Sequence, residues 1–169
     1  MNISKKLENY YHVECFGADG ELKWSDNFKN LITTVGASDS LDKHLKGSAY
    51  TATWFVGLTG ATPTFAIADT MSSHGGWTDD TTYSNGTRPA LTLGAITGTS
   101  TLTVDNSASK AVFNINGSAT MGGAFVTTVS TKGGTTGILY GGGAFSGGNR
   151  SVISGDTLNV TITCTCGAS

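Results

Sequence analysis

Two cysteines stand two positions apart in GDTLNVTITCTC, the stretch from Gly155 to Cys166. A thiol pair can hold zinc or exchange electrons. Zinc, however, usually takes four ligands, often from paired C-x2-C units, and C-x-C supplies only two. The remaining candidates, Cys15, His12, His44 and His74, are far away in sequence. In an extended strand alternate side chains share a face. Leu158, Val160, Ile162, Cys164 and Cys166 then form one row, and Asn159, Thr161, Thr163 and Thr165 the other. The cysteines continue an apolar row, where a free thiol behaves as a small buried hydrophobe. Neither a metal nor a cofactor is expected there.

A second cluster surrounds His74 in SSHGGWTDD, with Ser72, Ser73, Asp79 and Asp80 close by. A serine nucleophile needs a base within hydrogen-bond reach, and the G-x-S-x-G elbow of many hydrolases is absent. Asp79 and Asp80 are adjacent, so in an extended chain they point apart, a poor arrangement for paired acid–base work. With Asp69 they are candidate calcium ligands, but without the spaced Asp/Asn loop of the familiar calcium sites. GGGAFSGG (Gly141–Gly148) resembles a phosphate loop but has Ser146 where the third glycine belongs, and no lysine follows. In a β-rich chain such glycines mark a bulge or a close backbone approach. No catalytic residue is assigned.

The composition limits partners. Over 169 residues the net charge is −2 and 13% of side chains are charged, so no basic excess exists to attract nucleic acid or an acidic membrane surface. The apolar runs fall short of the ~18 residues of a membrane span. MNISKKLENYYHVEC has two lysines but no apolar core after them, so a secretory leader is not expected and synthesis in a cytoplasm is. Three cysteines in a reducing compartment make no disulfide framework.

The elements that must position these residues read as strands. The chain has 24 glycines and only two prolines and is rich in threonine, whose β-branch suits a pleated surface. NYYHVECF, ELKW and NFKNLITTV are strand candidates, the first two joined by the turn GADG. GASDSLDKHLKG predicts a helix near residues 38–46, capped by Ser38 and closed by Gly47, with Leu41 and Leu45 packed on a sheet. TATWFVGLTG predicts a strand covered on both faces. Ala61 to Arg88 reads as a long surface excursion. After Pro89, ALTLGAI, STLTVDN, KAVFNIN, SATMGGAFVTTVS, GILYGGGAF and DTLNVTITCTC are six further candidates. The expected fold is all-β: an antiparallel, jelly-roll-like β-sandwich with one short helix. Residues 1–50 hold 13 of the 22 charged side chains. Residues 1–30 are accordingly read as an N-terminal β segment or attachment arm, and 31–169 as the sandwich, together one structural unit.

Aromatic side chains supply the candidate contacts. Trp54 belongs in the core, Trp24 in the core or at a contact. Trp77 either anchors its loop or meets a partner or a sugar. Tyr10, Tyr11, Trp24, His74, Trp77 and Tyr83 form the expected contact set.

Three long stretches carry a resemblance: NLITTVG…LDKHLKGSAYTATWFVGLTG, HGGWTDDTTYSNGTRPALTLG, and VDNSASKAVFNINGSATMGGAFVTTVSTKGGTTGILYGGGAFSGGNRSVISGDTLNVT. From about Asn30 to Thr163 the chain resembles small structural proteins of tailed bacteriophages, in phrase and order and not in any catalytic signature. The resemblance implies a non-enzymatic virion surface component, in particular a capsid decoration or cement protein. Such a protein has a β-sandwich or jelly-roll body and binds the outer capsid surface. Its partners are the major capsid protein and copies of itself, as a dimer or trimer, with no nucleic acid and no membrane. A head fibre, tail fibre or baseplate component is the alternative, and a carbohydrate-binding module resting on Trp77 the third reading.

Overall fold

The computed structural model describes residues 7–49 and 53–167. Its elements in chain order are β1 (Glu8–Phe16), β2 (Leu22–Lys29), β3 (Leu31–Ile32), the helix α1 (Thr34–His44), β4 (Phe55–Thr59), β5 (Asp79–Asp80), β6 (Thr101–Asp105), β7 (Ala111–Asn114), β8 (Ala119–Met121), β9 (Gly123–Thr127), β10 (Leu139–Ala144), β11 (Arg150–Val152) and β12 (Thr157–Gly167). One sheet runs β2-β1-β12-β6, with β7 also on β12; the other runs β3-β10-β9-β4-β5; β11 and β8 form a small ribbon. The pairings are antiparallel. The expected all-β sandwich is the observed architecture.

The first sheet is built on period-two patterning. In β1, Tyr11, Val13 and Cys15 are buried while Tyr10, His12 and Glu14 are not. They face Ile162, Val160 and Leu158 of β12, register for register. Such cross-strand pairs are the unit of sheet stabilisation. Thus Glu8–Lys29, within the stretch read as a β segment or arm, is two integral strands; residues 1–6 lie outside the described residues.

β12 is long enough to serve two partners on one edge, β7 beside Thr157–Val160 and β6 beside Thr163–Gly167. Asn106 fills the gap between them. Its side-chain Nδ2 donates to the Val160 carbonyl at 3.1 Å and its Oδ1 accepts from the Ile162 N–H at 2.6 Å. A buried amide here substitutes for a missing strand residue, so the ladder stays satisfied.

The second sheet is buried on both faces, and all of β9 is buried. Val56, Leu58, Ala124 and Val126 face the first sheet in the main core. On the opposite face Phe125 and Leu139 pack with Met71, Trp77, Phe65 and Val35, supplied by the 61–80 excursion and the helix. Two aromatic rings here need bare backbone: that of Phe125 over Gly57 and that of Phe65 over Gly142. The residues paired with Phe125 are Gly57 on β4 and Gly142 on β10. A Cβ at Gly57 would lie 2.2 Å from Phe125 Cζ, and one at Gly142 would lie 2.3 Å from Phe65 Cε1 and 2.9 Å from Phe125 Cβ.

Several expectations need correction. The helix begins at Thr34, not near residue 38, and Thr33, not Ser38, caps it by accepting the Gly36 N–H at 3.1 Å. Thr33 is wholly buried and its hydroxyl also donates to the Leu139 carbonyl, which fixes the start against β10. Gly36 then faces the sheet, where a Cβ would lie 2.3 Å from the Tyr140 carbonyl oxygen. The helix docks through that glycine, and Leu41 and Leu45, expected against the sheet, are 59% and 79% exposed. NFKNLITTV divides among β2, β3 and the helix. ALTLGAI forms no strand; it is held by the Phe55–Ala90 bridge and the Leu91 N–H on the Trp54 carbonyl. The ribbon strand β11 carried no sequence signal, because three residues are too few to show alternation.

Overpacking beneath Phe125 is testable. Gly57→Ala should destabilise the fold by about 1–3 kcal/mol in urea denaturation. Adding Phe125→Leu should cost less than the two single changes summed, because the smaller side chain vacates the space of the new methyl.

Candidate functional site

The terminal cysteines follow the predicted row only in part. Leu158, Val160 and Ile162 are fully buried, Cys164 is half-buried and Cys166 is exposed. The row leaves the core as β12 runs past it, so Cys166 is not the buried hydrophobe expected. Burial pushes the thiols of Cys15 and Cys164 up to about 11. Among the described residues no three His, Cys, Asp or Glu side chains group as a metal site.

His74 lies stacked on Trp77, ring centres 3.8 Å apart and planes 19° apart, and its Nδ1 contacts the Trp77 carbonyl at 3.1 Å. Trp77 is 5% exposed, touches Phe65 and Phe125, and donates its indole N–H to Asp69 Oδ2 at 3.0 Å. Asp69 also accepts the Ala66 N–H. Ser72 shares its hydroxyl with Thr70 at 3.2 Å. The cluster is therefore a loop lock: the excursion folds down on Trp77, and the histidine covers the indole.

The aspartates are structural too. Asp80 accepts the Thr82 N–H, while Asp79 Oδ2 takes Arg88 Nη2 at 2.8 Å and the Gly133 N–H at 2.6 Å. The Arg88 side chain is fully buried, donates Nη1 to the Val129 carbonyl at 2.8 Å, and sets its guanidinium 5.2 Å from the Phe125 ring centre. Asp69, Asp79 and Asp80, the candidate calcium set, thus serve separate bonds.

Two further carboxylates escaped the sequence reading. Asp26 accepts from the Ser146 N–H and hydroxyl, the Gly147 N–H and Arg150 Nη2, tying β2 to the turn after β10. Asp156 accepts from Lys23 Nζ at 2.6 Å and the Ile153 N–H at 3.0 Å. Burial pushes each carboxyl upward, and these donors outweigh it, so both sit below the ordinary carboxylate value. The partners are more than 100 residues away in most cases, and no local pattern could have announced them.

The six expected contact residues do not form one surface. Tyr11, Trp77 and Tyr83 are 1%, 5% and 0% exposed, which corrects their assignment as partner contacts. Tyr11 stacks on Phe28 at 4.9 Å, and Tyr83 meets Phe113 edge-on at 5.0 Å. Their rings are large apolar areas, and the core claims them. Trp24 is half-buried against Phe145, with the Arg150 guanidinium over it. Tyr10 alone is well exposed, on the outer face of the first sheet, where its hydroxyl donates to Glu8 and Lys29 lies over its ring.

An apolar surface that the sequence reading passed over stands out instead. Leu7, Leu41, Ile96 and Leu102 are 39%, 59%, 70% and 36% exposed. Leu7 joins two shallow grooves. One runs past Ile32 and Leu41, and the other past Ile96, Leu102 and Cys166. Scattered exposed leucines are ordinary; what sets these apart is that they line two grooves that share Leu7. The signal was present in Leu41 and Leu45, which were assigned to the wrong side of the helix.

Two outcomes are expected in solution. A thiol reagent on the native protein should modify Cys166 first, Cys164 slowly and Cys15 only on unfolding, read by mass spectrometry of the labelled peptides. Because Asp26 and Asp156 titrate lower when folded, their stabilisation is complete above the usual carboxylate range near 4 and is lost as pH falls through the folded values. Thermal melts should therefore drop as pH falls from about 5 to about 2. Asp156→Asn should lower the neutral-pH melting temperature and flatten that decline. No family model, curated protein or solved structure matches the chain.

Proposed function

We propose that this chain is a non-enzymatic structural protein of a phage virion, a capsid decoration or cement protein that binds the outer head surface. It stabilises the contacts between major capsid subunits. The observation that supports this reading is the exposed apolar surface around Leu7, Leu41, Ile96 and Leu102, on a body that commits Asp26, Asp69, Asp79, Asp156 and His74 to internal bonds. A protein that works by adhesion needs a rigid body and a desolvating patch. Copies repeated on a symmetric shell add avidity, so a small patch on each is enough. The phage resemblance supplies the setting. The exposed Tyr10 and its charged neighbours on the first sheet's outer face offer polar contacts of the kind found at an interface rim.

The test combines location with a surface change. Purified virions should contain hundreds of copies, and the protein should co-sediment with capsids that lack it and raise their disruption temperature. Ile96→Asp with Leu102→Asp should leave the protein's own melting temperature nearly unchanged, since both side chains are exposed. The same pair should weaken capsid binding by roughly tenfold or more. A handful of copies that stay with tails after heads are removed would instead favour the fibre or baseplate alternative. Capsid binding indifferent to both aspartates would remove the patch from the interface.

A further inference from the structure

An asparagine followed by glycine can lose its side-chain amide to its own backbone, because glycine has no Cβ to shield the attacking nitrogen. The chain has two such steps, Asn85-Gly86 and Asn116-Gly117. The fold brings both beside β7 and treats them in opposite ways.

Asn85 is clamped. β12 covers one edge of β7, and residues 82–85 run along the other. There the Ser84 N–H donates to the Asn114 carbonyl at 2.8 Å, and Tyr83 bridges to Ile115. Asn85 continues that pairing with its side chain. Its Nδ2 donates to the Val112 carbonyl at 3.0 Å, and its Oδ1 accepts the Asn114 N–H at 3.0 Å. This is the device that Asn106 supplies to β12, and it holds both polar atoms of the amide. Asn116 is the contrast. Strand alternation buries Ala111, Phe113 and Ile115 and turns Val112, Asn114 and Asn116 to solvent. Asn116 lies in the link between β7 and β8, where only its main-chain N–H is engaged, on the Thr82 carbonyl at 3.4 Å. Among the described residues, neither its side chain nor the Gly117 N–H has a hydrogen-bond partner. Thus no hydrogen bond restrains either the attacking nitrogen or the carbonyl group it attacks.

We propose that Asn116 is a site of spontaneous covalent modification, deamidation through a cyclic imide formed with Gly117, and that the clamp spares Asn85. Base removes the Gly117 amide proton, and the nitrogen bonds to Asn116 Cγ. The Cγ–Nδ2 bond breaks, and the amide group takes up a proton and leaves as ammonia. Water then opens the imide at either carbonyl. One opening gives aspartate; the other gives isoaspartate, whose main chain runs through the side-chain carbon. Water is the only co-reactant, and nothing is oxidised or reduced. Either product adds one negative charge and takes the chain from −2 to −3.

The test is a time course of the folded chain in warm, mildly alkaline buffer. Lys110 separates the two sites in a tryptic digest, so mass spectrometry reads each on its own peptide. The Asn116 peptide should gain one mass unit at least roughly tenfold faster than the Asn85 peptide, because two amide hydrogen bonds must open before Asn85 can cyclise. In urea the clamp is gone, and the two rates should converge. Isoaspartyl methyltransferase should label the Asn116 peptide, which direct hydrolysis of the amide would not produce. Gly117→Ala should slow the conversion by crowding the nitrogen. That variant should fold, since Gly117 is outside the left-handed region and a Cβ there would meet only the Thr82 methyl, 3.0 Å away. Conversion of Asn116 no faster than that of Asn85 in the folded chain, or a rate ratio that persists in urea, overturns the proposal.

Discussion

Phe125 can occupy its place only because nothing projects from the backbone on either side of it. Gly57 and Gly142 flank it in register, and a Cβ at either would intrude on an aromatic ring. The consequence is a large apolar ring on the outside of a sheet that already buries its inner face. An uncovered ring there would forfeit burial worth about 1.5–3 kcal/mol. The rest of that half of the molecule is the cover. Trp77 lies over Phe125, Arg88 lies beside it, and Phe65 fills the space above Gly142. The excursion from 61 to 88 contributes all three covering side chains, which is why so long a stretch, whose one named strand is the two-residue β5, is held tightly.

That requirement also accounts for the residues with a chemical look. Asp69 grips the Trp77 indole, and His74 covers its exposed side. Asp79 neutralises Arg88, whose burial would otherwise leave a charge without a counterion. Read as a list of types, His, Ser and Asp within ten residues suggest catalysis. Read in space, each answers a different demand of a buried aromatic layer.

Local patterns were legible wherever the determining neighbours were local. The alternation in NYYHVECF and TLNVTITC states which side chains face inward, and both strands have the predicted faces up to Cys164. TWFVGLTG announced a doubly covered strand, and β4 is one. What the sequence could not show was set by distant partners. Thr33 is a helix cap because the Leu139 carbonyl waits beside it, and Gly36 is a helix residue because Tyr140 passes too close for a side chain. With those two contacts unseen, Ser38 was the best remaining cap, and the helix turned its leucines the wrong way in expectation. Tyr11, Trp77 and Tyr83 were misplaced for a related reason: an aromatic in a polar stretch looks exposed until its covering layer is known. The apolar surface went unnoticed because its members come from the residue before β1, the helix, the segment after Pro89 and β6.

The distribution of polar bonds bears on how such a body would adhere. On the outer face of the first sheet, Lys29 and Glu8 pair, Lys110 meets Glu14, and His12 meets Asn27. Those groups are already matched and exposed, so exchanging them for a partner's polar groups returns little. The surface around Leu7 is the reverse case. Its leucine and isoleucine side chains have no polar atoms whose hydrogen bonds would have to be exchanged, and water leaving them is the main gain. With a net charge of only −2 there is little long-range field to steer an encounter. Adhesion through such a surface is governed by fit and by the number of copies presented together, and it depends only weakly on salt. If the chain adheres as proposed, the number of copies presented together, and not a field of charge, would hold it in place.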